Sequence, residues 1–333
     1  MKRSVLVGVM GIFATVGCGK MDDTGFEGST PRAETVALNV PASAASGTSG
    51  ATTGALLGDI ADSYKVTYDV THVVNGATAA VLLLVKTIVG FPPTSINGDT
   101  AVWGPHAEPL DQNAWRLTVT RVQKDVFTWH FDGKPKAADD SAFVTILSGT
   151  HTRAVDATGH AMEGFGAGNF TVDWDAAQTL PQHDGNVGVA TFTYSRLTPA
   201  AAVAIDVDFR GIKDQDNGEI YDAVYAYGAT PGAGGDLKYG AIRDAFPGPG
   251  PTGTAKETIT LHSRWQESGA GRSDYQFAGG DVTAAVGGPI TASECWDTSF
   301  ASQFKNVSAD PTQDWGSESS CVFATADFSN LTP

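Results

Sequence analysis

Cations and cysteines are both scarce in this chain of 333 residues. Lys and Arg together number 21 against 37 Asp and Glu, a formal net charge of −16. Binding to nucleic acid draws mainly on Lys and Arg neutralising phosphates, so this balance excludes nucleic acid as a partner. It equally excludes electrostatic docking of the surface on anionic lipid. The three cysteines, Cys18, Cys295 and Cys321, include no Cys-x-x-Cys pair, which removes the usual redox motif. The seven histidines stand singly, with no His-Glu-x-x-His or His-x-His spacing for a metal. No Gly-x-Ser-x-Gly elbow presents a nucleophilic serine. No Gly-rich segment sits between a strand and a helix as a phosphate cradle. No cofactor is therefore expected. What is present is enough apolar material for a core: 41% hydrophobic and 17% charged residues describe a folded module.

Lys2 and Arg3 precede an apolar run from Val5 to Val16 that is too short to span a bilayer and reads as an export signal. The run ends in Thr15-Val16-Gly17-Cys18. This resembles the lipobox of bacterial lipoproteins, departing from it at Thr15, where the family prefers an aliphatic residue. The residues alone also fit an ordinary cleaved signal with an incidental Cys18. The resemblance implies a signal peptide over 1–17 and a Cys18 that becomes the mature N-terminus, carrying diacylglycerol on sulfur and a further acyl chain such as palmitate. Gly19, where an Asp would signal inner-membrane retention, implies an outer-membrane anchor facing either the periplasm or the exterior. The membrane is then a partner through the lipid alone. Removing 1–17 takes away Lys2 and Arg3 and no acid, so the net charge moves from −16 to −18. In an exported protein the remaining Cys295 and Cys321 read as a disulfide pinning a C-terminal arm. The loop it closes is worth about 3–4 kcal/mol in chain-entropy terms.

Residues 18–58 are small and polar, unable to offset chain entropy by burial, and read as a flexible tether. Residues 59–333 read as one β-rich domain. Val70, Val73, Val74, Ala77, Val81, Leu84, Val85 and Ile88 recur at helical steps, which predicts an apolar helix over 71–89 that is stopped by Gly90 and Pro92-Pro93. Lys86 and Asn75 disfavour a membrane span there. Tyr64 to Val70 fits either a strand or the first turns of a longer helix, and Gly76 weakens a continuous one. After residue 100 the period becomes two. Strands are predicted at 115–122, 125–131, 141–148, 169–175, 187–196, 202–213, 219–227, 237–243, 256–266 and 272–277. Asp132-Gly133, Asn217-Gly218 and Gly269-Ala270-Gly271 mark hairpin turns. The fold class is mainly β: an antiparallel meander forming a barrel or strongly curved sheet around one N-terminal apolar helix.

Asp206 and Asp208 share one face of a predicted strand and would be the acid pair if the chain were a hydrolase acting on carbohydrate. Asp214, Asp216 and Glu219 begin like a calcium loop, yet Asn217-Gly218 as a solvated hairpin explains the same residues. His160 and Glu163 share a Gly-rich stretch read as a loop. Aromatic residues on the strands, Phe127, Trp129, Phe131, Phe170, Phe192 and Tyr194 among them, either line a cavity for a lipid or other hydrophobic ligand or pack as plain core. The lipobox, the apolar helix, the meander and the ending Glu294-Cys295-Trp296 with Cys321-Val322-Phe323 resemble the β-rich lipoproteins of myxobacteria, a likeness that implies no particular activity. In architecture the chain is similar to bacterial lipoproteins whose curved sheet and plugging helix carry lipid. The expected function is a non-enzymatic, outer-membrane-anchored lipoprotein, structural or binding a hydrophobic ligand. A secreted hydrolase and an adhesion or envelope-assembly module are the alternatives.

Overall fold

In the computed structural model, residues 25–26, 28–37, 40–41, 57–214, 217–244, 255–328 and 331–333 are described. The signal segment 1–17 and Cys18 lie outside the described residues. A 28-residue helix, α1 (Asp62–Val89), comes first among the long elements. Tyr64 to Val70 forms its early turns and not a strand: Tyr64, Thr67, Thr71, Val74, Thr78, Val81, Val85 and Ile88 are all buried, a continuous stripe at three- and four-residue steps. Gly76 is exposed in open space and does not interrupt the helix. The cost of about 1 kcal/mol for an interior Gly is small beside that buried stripe. By length and composition α1 is apolar enough to cross a membrane, and 44% of its most apolar stretch is buried.

Among the described residues fifteen strands follow and neighbour one another in sequence order in an antiparallel sheet. Its ends are the first and last strands, so the order is an open meander and not the closed barrel that was one of the two expected forms. Two compact units divide the chain. The first holds 1–37, 75–201 and 210–213; the second holds 38–74, 202–209 and 214–333.

The first unit carries β1 (Ser95–Asn97), β2 (Thr100–His106), β3 (Asn113–Gln123), β4 (Val126–Pro135), β5 (Val144–Val155), β6 (Ala161–Asp173), the single turn α2 (Trp174–Ala177) and β7 (Val189–Arg196). Alternation sets the inner face: in β7, Ala190, Phe192 and Tyr194 are buried while Thr191 and Thr193 are exposed. Asp132-Gly133 is not a turn. It lies inside β4, where the Trp115 ring and Leu180 sit so close that a Cβ on Gly133 would stand 2.7 Å from each. The hairpin falls instead at Lys124-Asp125, with Asp125 in the left-handed region (φ 64°). The Gly-rich stretch read as a loop is the first half of β6. Its Gly166 lies under His151, whose Cε1 would be 2.4 Å from an added Cβ. Absence of side chains here admits a ring from the neighbouring strand.

Part of the stretch read as a tether is held in this unit. Phe26 and Val36 are buried; Phe26 meets Trp103 edge-on at 6.3 Å. Arg121 donates to the Gly25 carbonyl and Arg196 to that of Thr35, each at 2.9 Å. Two large apolar side chains and carbonyls within reach of arginines give this segment the anchorage that its overall composition does not suggest.

The second unit contains β8 (Val203–Lys213) up to Phe209, then β9 (Ile220–Thr230), β10 (Gly234–Arg243), β11 (Glu257–Gln266), β12 (Gly271–Ala278), α3 (Gly280–Val286), β13 (Ile290–Trp296), β14 (Ser302–Val307) and β15 (Trp315–Gly316). Asn217-Gly218 does turn β8 into β9: Asp214 N donates to the Glu219 carbonyl and Gly218 has φ 79°. Ser263, Ser273 and Glu294 are paired across β11, β12 and β13. They meet the first turns of α1, where Thr67 Oγ1 lies 2.7 Å from Ser263 Oγ and Ser63 N donates to Glu294 Oε2 at 2.8 Å. Neighbouring residues on these strands point the other way. There Arg272, Asp274 and Cys295 receive the C-terminal arm, and Cys295 is joined to Cys321 by a disulfide with Cα atoms 5.7 Å apart.

Candidate functional site

The acidic hairpin proves to be neutralised from within. Arg243 Nη2 donates to Asp214 Oδ2 at 2.5 Å and its Nε lies 3.6 Å from Glu219 Oε2; Lys256 Nζ is 3.4 Å from the other Glu219 oxygen. The Glu219 carboxylate also accepts from Asp244 N. Asn217 closes the turn by accepting from Glu219 N. Two cations on two carboxylates leave little charge for a calcium ion, which needs several free oxygens. Asp216, the third candidate ligand, lies outside the described residues. Among the described residues no group of three or more His, Cys, Asp or Glu is arranged to hold a metal.

Asp206 and Asp208 occupy alternate positions on β8, as the strand period requires, with Asp206 exposed and Asp208 half-buried. Partial desolvation by its strand neighbours raises the Asp206 carboxyl above its ordinary value although the residue is exposed. His160 and Glu163 do not meet: His160 Nδ1 lies 2.8 Å from Thr158 Oγ1, while Glu163 pairs with Arg32. The strand aromatics are engaged with one another. Phe170 stacks on Phe192 at 4.4 Å and Trp115 on Phe131 at 5.4 Å, while Trp129 and Tyr194 are almost wholly buried.

A concave site does form, in the first unit, from parts of the chain that carry no motif. A cavity of about 280 Å³ is lined by Gly25, Gly28, Thr30, Pro31 and Arg32, by Lys86 of α1, by His151 and Arg153 of β5, and by Ala161, Glu163 and Gly164 of β6. Among the described residues its charged lining is three cations, Arg32, Lys86 and Arg153, against one acid, Glu163, the reverse of the balance in the whole chain.

Each group is set by its surroundings. Arg153 Nη2 donates to Asp125 Oδ1 at 2.6 Å, and its guanidinium lies 5.2 Å from the centroid of the Phe127 ring. Gly28 lets it approach, because a Cβ there would stand 2.6 Å from Arg153 Cδ. Arg32 crosses Gly164 to pair with Glu163, which is largely exposed. The hydrogen bond from Arg32, and then its charge, hold the Glu163 carboxyl below its usual range. His151 is buried with Nδ1 3.1 Å from Tyr194 Oη. Burial, followed by the charge of Arg153, pushes His151 down to about 4, so it is neutral at physiological pH. Thr30 Oγ1 and Arg153 Nε are buried without a hydrogen-bond partner among the described residues. Unsatisfied groups of this kind cost about 1–3 kcal/mol each.

Sequence reasoning placed His160 and Glu163 in one stretch and counted His151 only among the single histidines; it read Lys86 only as an argument against a membrane span and did not single out Arg32 or Arg153. Nothing local could have linked residues about 60 and 120 positions apart; they converge only because the N-terminal segment folds back along β6. No family model, curated protein or solved structure matches this chain.

Proposed function

We propose that this protein is an exported, lipid-anchored envelope protein with a non-catalytic, structural β-sheet body. The observation that carries the reading is the C-terminal staple: a disulfide between Cys295 and Cys321, both buried, closes the arm over β12 and β13. Disulfides of this kind persist in oxidising, extracytoplasmic compartments. The lipobox-like Thr15-Val16-Gly17-Cys18 supplies the anchor, and a surface with net charge −16 leaves the acyl chains of Cys18 as the means of membrane attachment. Mutual packing of the strand aromatics favours a structural body over a carrier of hydrophobic ligands.

Expression in a bacterium with an outer membrane, followed by fractionation and mass spectrometry of the N-terminal peptide, tests it. The expected result is an outer-membrane protein whose first residue is a diacylglyceryl-modified, acylated Cys18, with Cys18→Ser released into soluble fractions. An unmodified, soluble wild-type chain would overturn the anchor. Lipid co-purifying at one mole per mole of the body would restore the carrier reading.

A further inference from the structure

We propose that the cavity of the first unit binds a small soluble ligand through an oxyanion, a phosphate or carboxylate group held among Lys86, Arg153 and Arg32. The inference is independent of the lipid anchor and concerns only the folded body. Among the described residues three cations line one concavity, with Glu163 as the acid in its lining and Asp125 behind Arg153, which leaves a local excess of positive charge in a chain with nearly twice as many acids as bases. They differ in readiness. Arg153 is fixed in place by Asp125, which takes its Nη2, and by its position over Phe127, so that Nη1, beside Gly28 of the cavity lining, is its remaining donor. Lys86 has no ion pair among the described residues, and it acts on Glu163 only through its charge. Arg32 is occupied by Glu163, but that carboxylate is 82% exposed, so the pair is weak and an incoming anion can replace it.

The remaining walls fit the same ligand class. His151 is buried, neutral and tied to Tyr194, forming a wall that adds no charge. At about 280 Å³ the space suits a small metabolite and is too small for an acyl chain with its headgroup.

Isothermal titration of the detergent-solubilised full-length protein with inorganic phosphate and with succinate, at neutral pH and low ionic strength, tests the proposal. Lys86 and Glu163 are exposed, so their variants should fold, which circular dichroism and the melting temperature check. Saturable binding of at least one probe is expected. It should weaken about fivefold in Lys86→Gln and tighten by a similar factor in Glu163→Gln. Lys124→Gln and Asp139→Asn, equal charge changes at exposed positions outside the cavity, should leave it unchanged. Failure of both probes to saturate overturns the site. So does binding that Lys86→Gln leaves intact, or that the two outlying variants alter as much as the lining ones do.

Discussion

Phe170 and Phe192, stacked at 4.4 Å within the first unit, have their counterpart in the second unit in Thr67, Ser263 and Ser273, three hydroxyls within 2.7–3.3 Å of one another. The first unit packs rings between its strands. Beneath the first turns of α1, the second packs hydroxyls and the Glu294 carboxylate beside a small ring cluster of Tyr64, Trp296 and Phe300; on the opposite face it buries Arg272 and Asp274. Asp274 accepts from Arg272, Arg264, Ser293 and the backbone N of Asp327, and thereby fixes both the sheet and the arm lying on it. The difference is one of tolerance. Dispersion and apolar burial are non-directional, so a ring core loses stability in proportion to the volume removed. A buried ionic network is satisfied in one arrangement only, and removing one member leaves its partners charged and dry.

The largest effects should therefore come from the two centres. Asp274→Ala is expected to cost about 3 kcal/mol because Arg272, itself fully buried, keeps its charge with only the half-exposed Glu318 left to pair with it. Phe170→Ala should cost a similar amount through a cavity. Denaturant unfolding checks both, and Phe170→Leu should recover most of the second loss whereas Asp274→Asn should recover little of the first. An Asp274→Ala effect below about 1 kcal/mol would break the contrast.

Reducing the Cys295–Cys321 bridge, or replacing both residues by Ala, should lower stability by about 3 kcal/mol and speed proteolysis after residue 316 before cleavage elsewhere. Limited proteolysis with mass spectrometry reads that order directly. Uniform cleavage along the chain would show that the arm is held by Asp274 and not by the disulfide.

Acid acts on the first unit through two groups. His151 has its folded value near 4, below the ordinary value of 6.5, so the unfolded chain binds more protons between these values. Stability should fall as pH drops from about 6.5 to 4, by roughly 2–3 kcal/mol, and His151→Asn should flatten that slope. Asp132 acts in the same direction but in a lower window: burial would raise it, but hydrogen bonds from His130, Arg116 and Thr145 outweigh burial and hold it at about 2. Its contribution, on the order of 1–2 kcal/mol, is present above pH 3.8 and disappears as pH falls towards 2. Stability measured against pH with and without Asp132→Asn separates the two windows.

The smallest effect is expected at the hydroxyl layer. Thr67→Val keeps the shape and removes the contacts to Ser263, Ser273 and the Ser63 carbonyl, for a loss of about 1–2 kcal/mol. No loss would mean that the layer behaves as an ordinary core.

Ten of the strands and the later turns of α1 were legible from residue order, since a period of two or of 3.6 is a local property. The Phe192–Tyr194 alternation of β7 and the Asn217-Gly218 turn are cases where local chemistry and final structure agree. The departures have a common cause. Gly133 and Gly166 look like loop residues, yet they lie in strands because Trp115 and His151 need the room. Of the other five strands, β1 and β15 are only three and two residues long, while β2, β13 and β14 escaped notice because Gly104-Pro105 and the Ser- and Asn-rich ending obscure the alternation; their partners supply the pairing that composition does not advertise.

Composition, period and cysteine count by themselves determined a mainly antiparallel β protein with one apolar helix, a paired Cys295 and Cys321, and an acidic surface. Tertiary structure alone decided that the meander stays open, that Asp214 and Glu219 are neutralised by Arg243 and Lys256, and that Arg32, Lys86 and Arg153 share one cavity. Periodicity is written between neighbours in the chain, whereas the meeting of charges depends on which distant segments fold side by side.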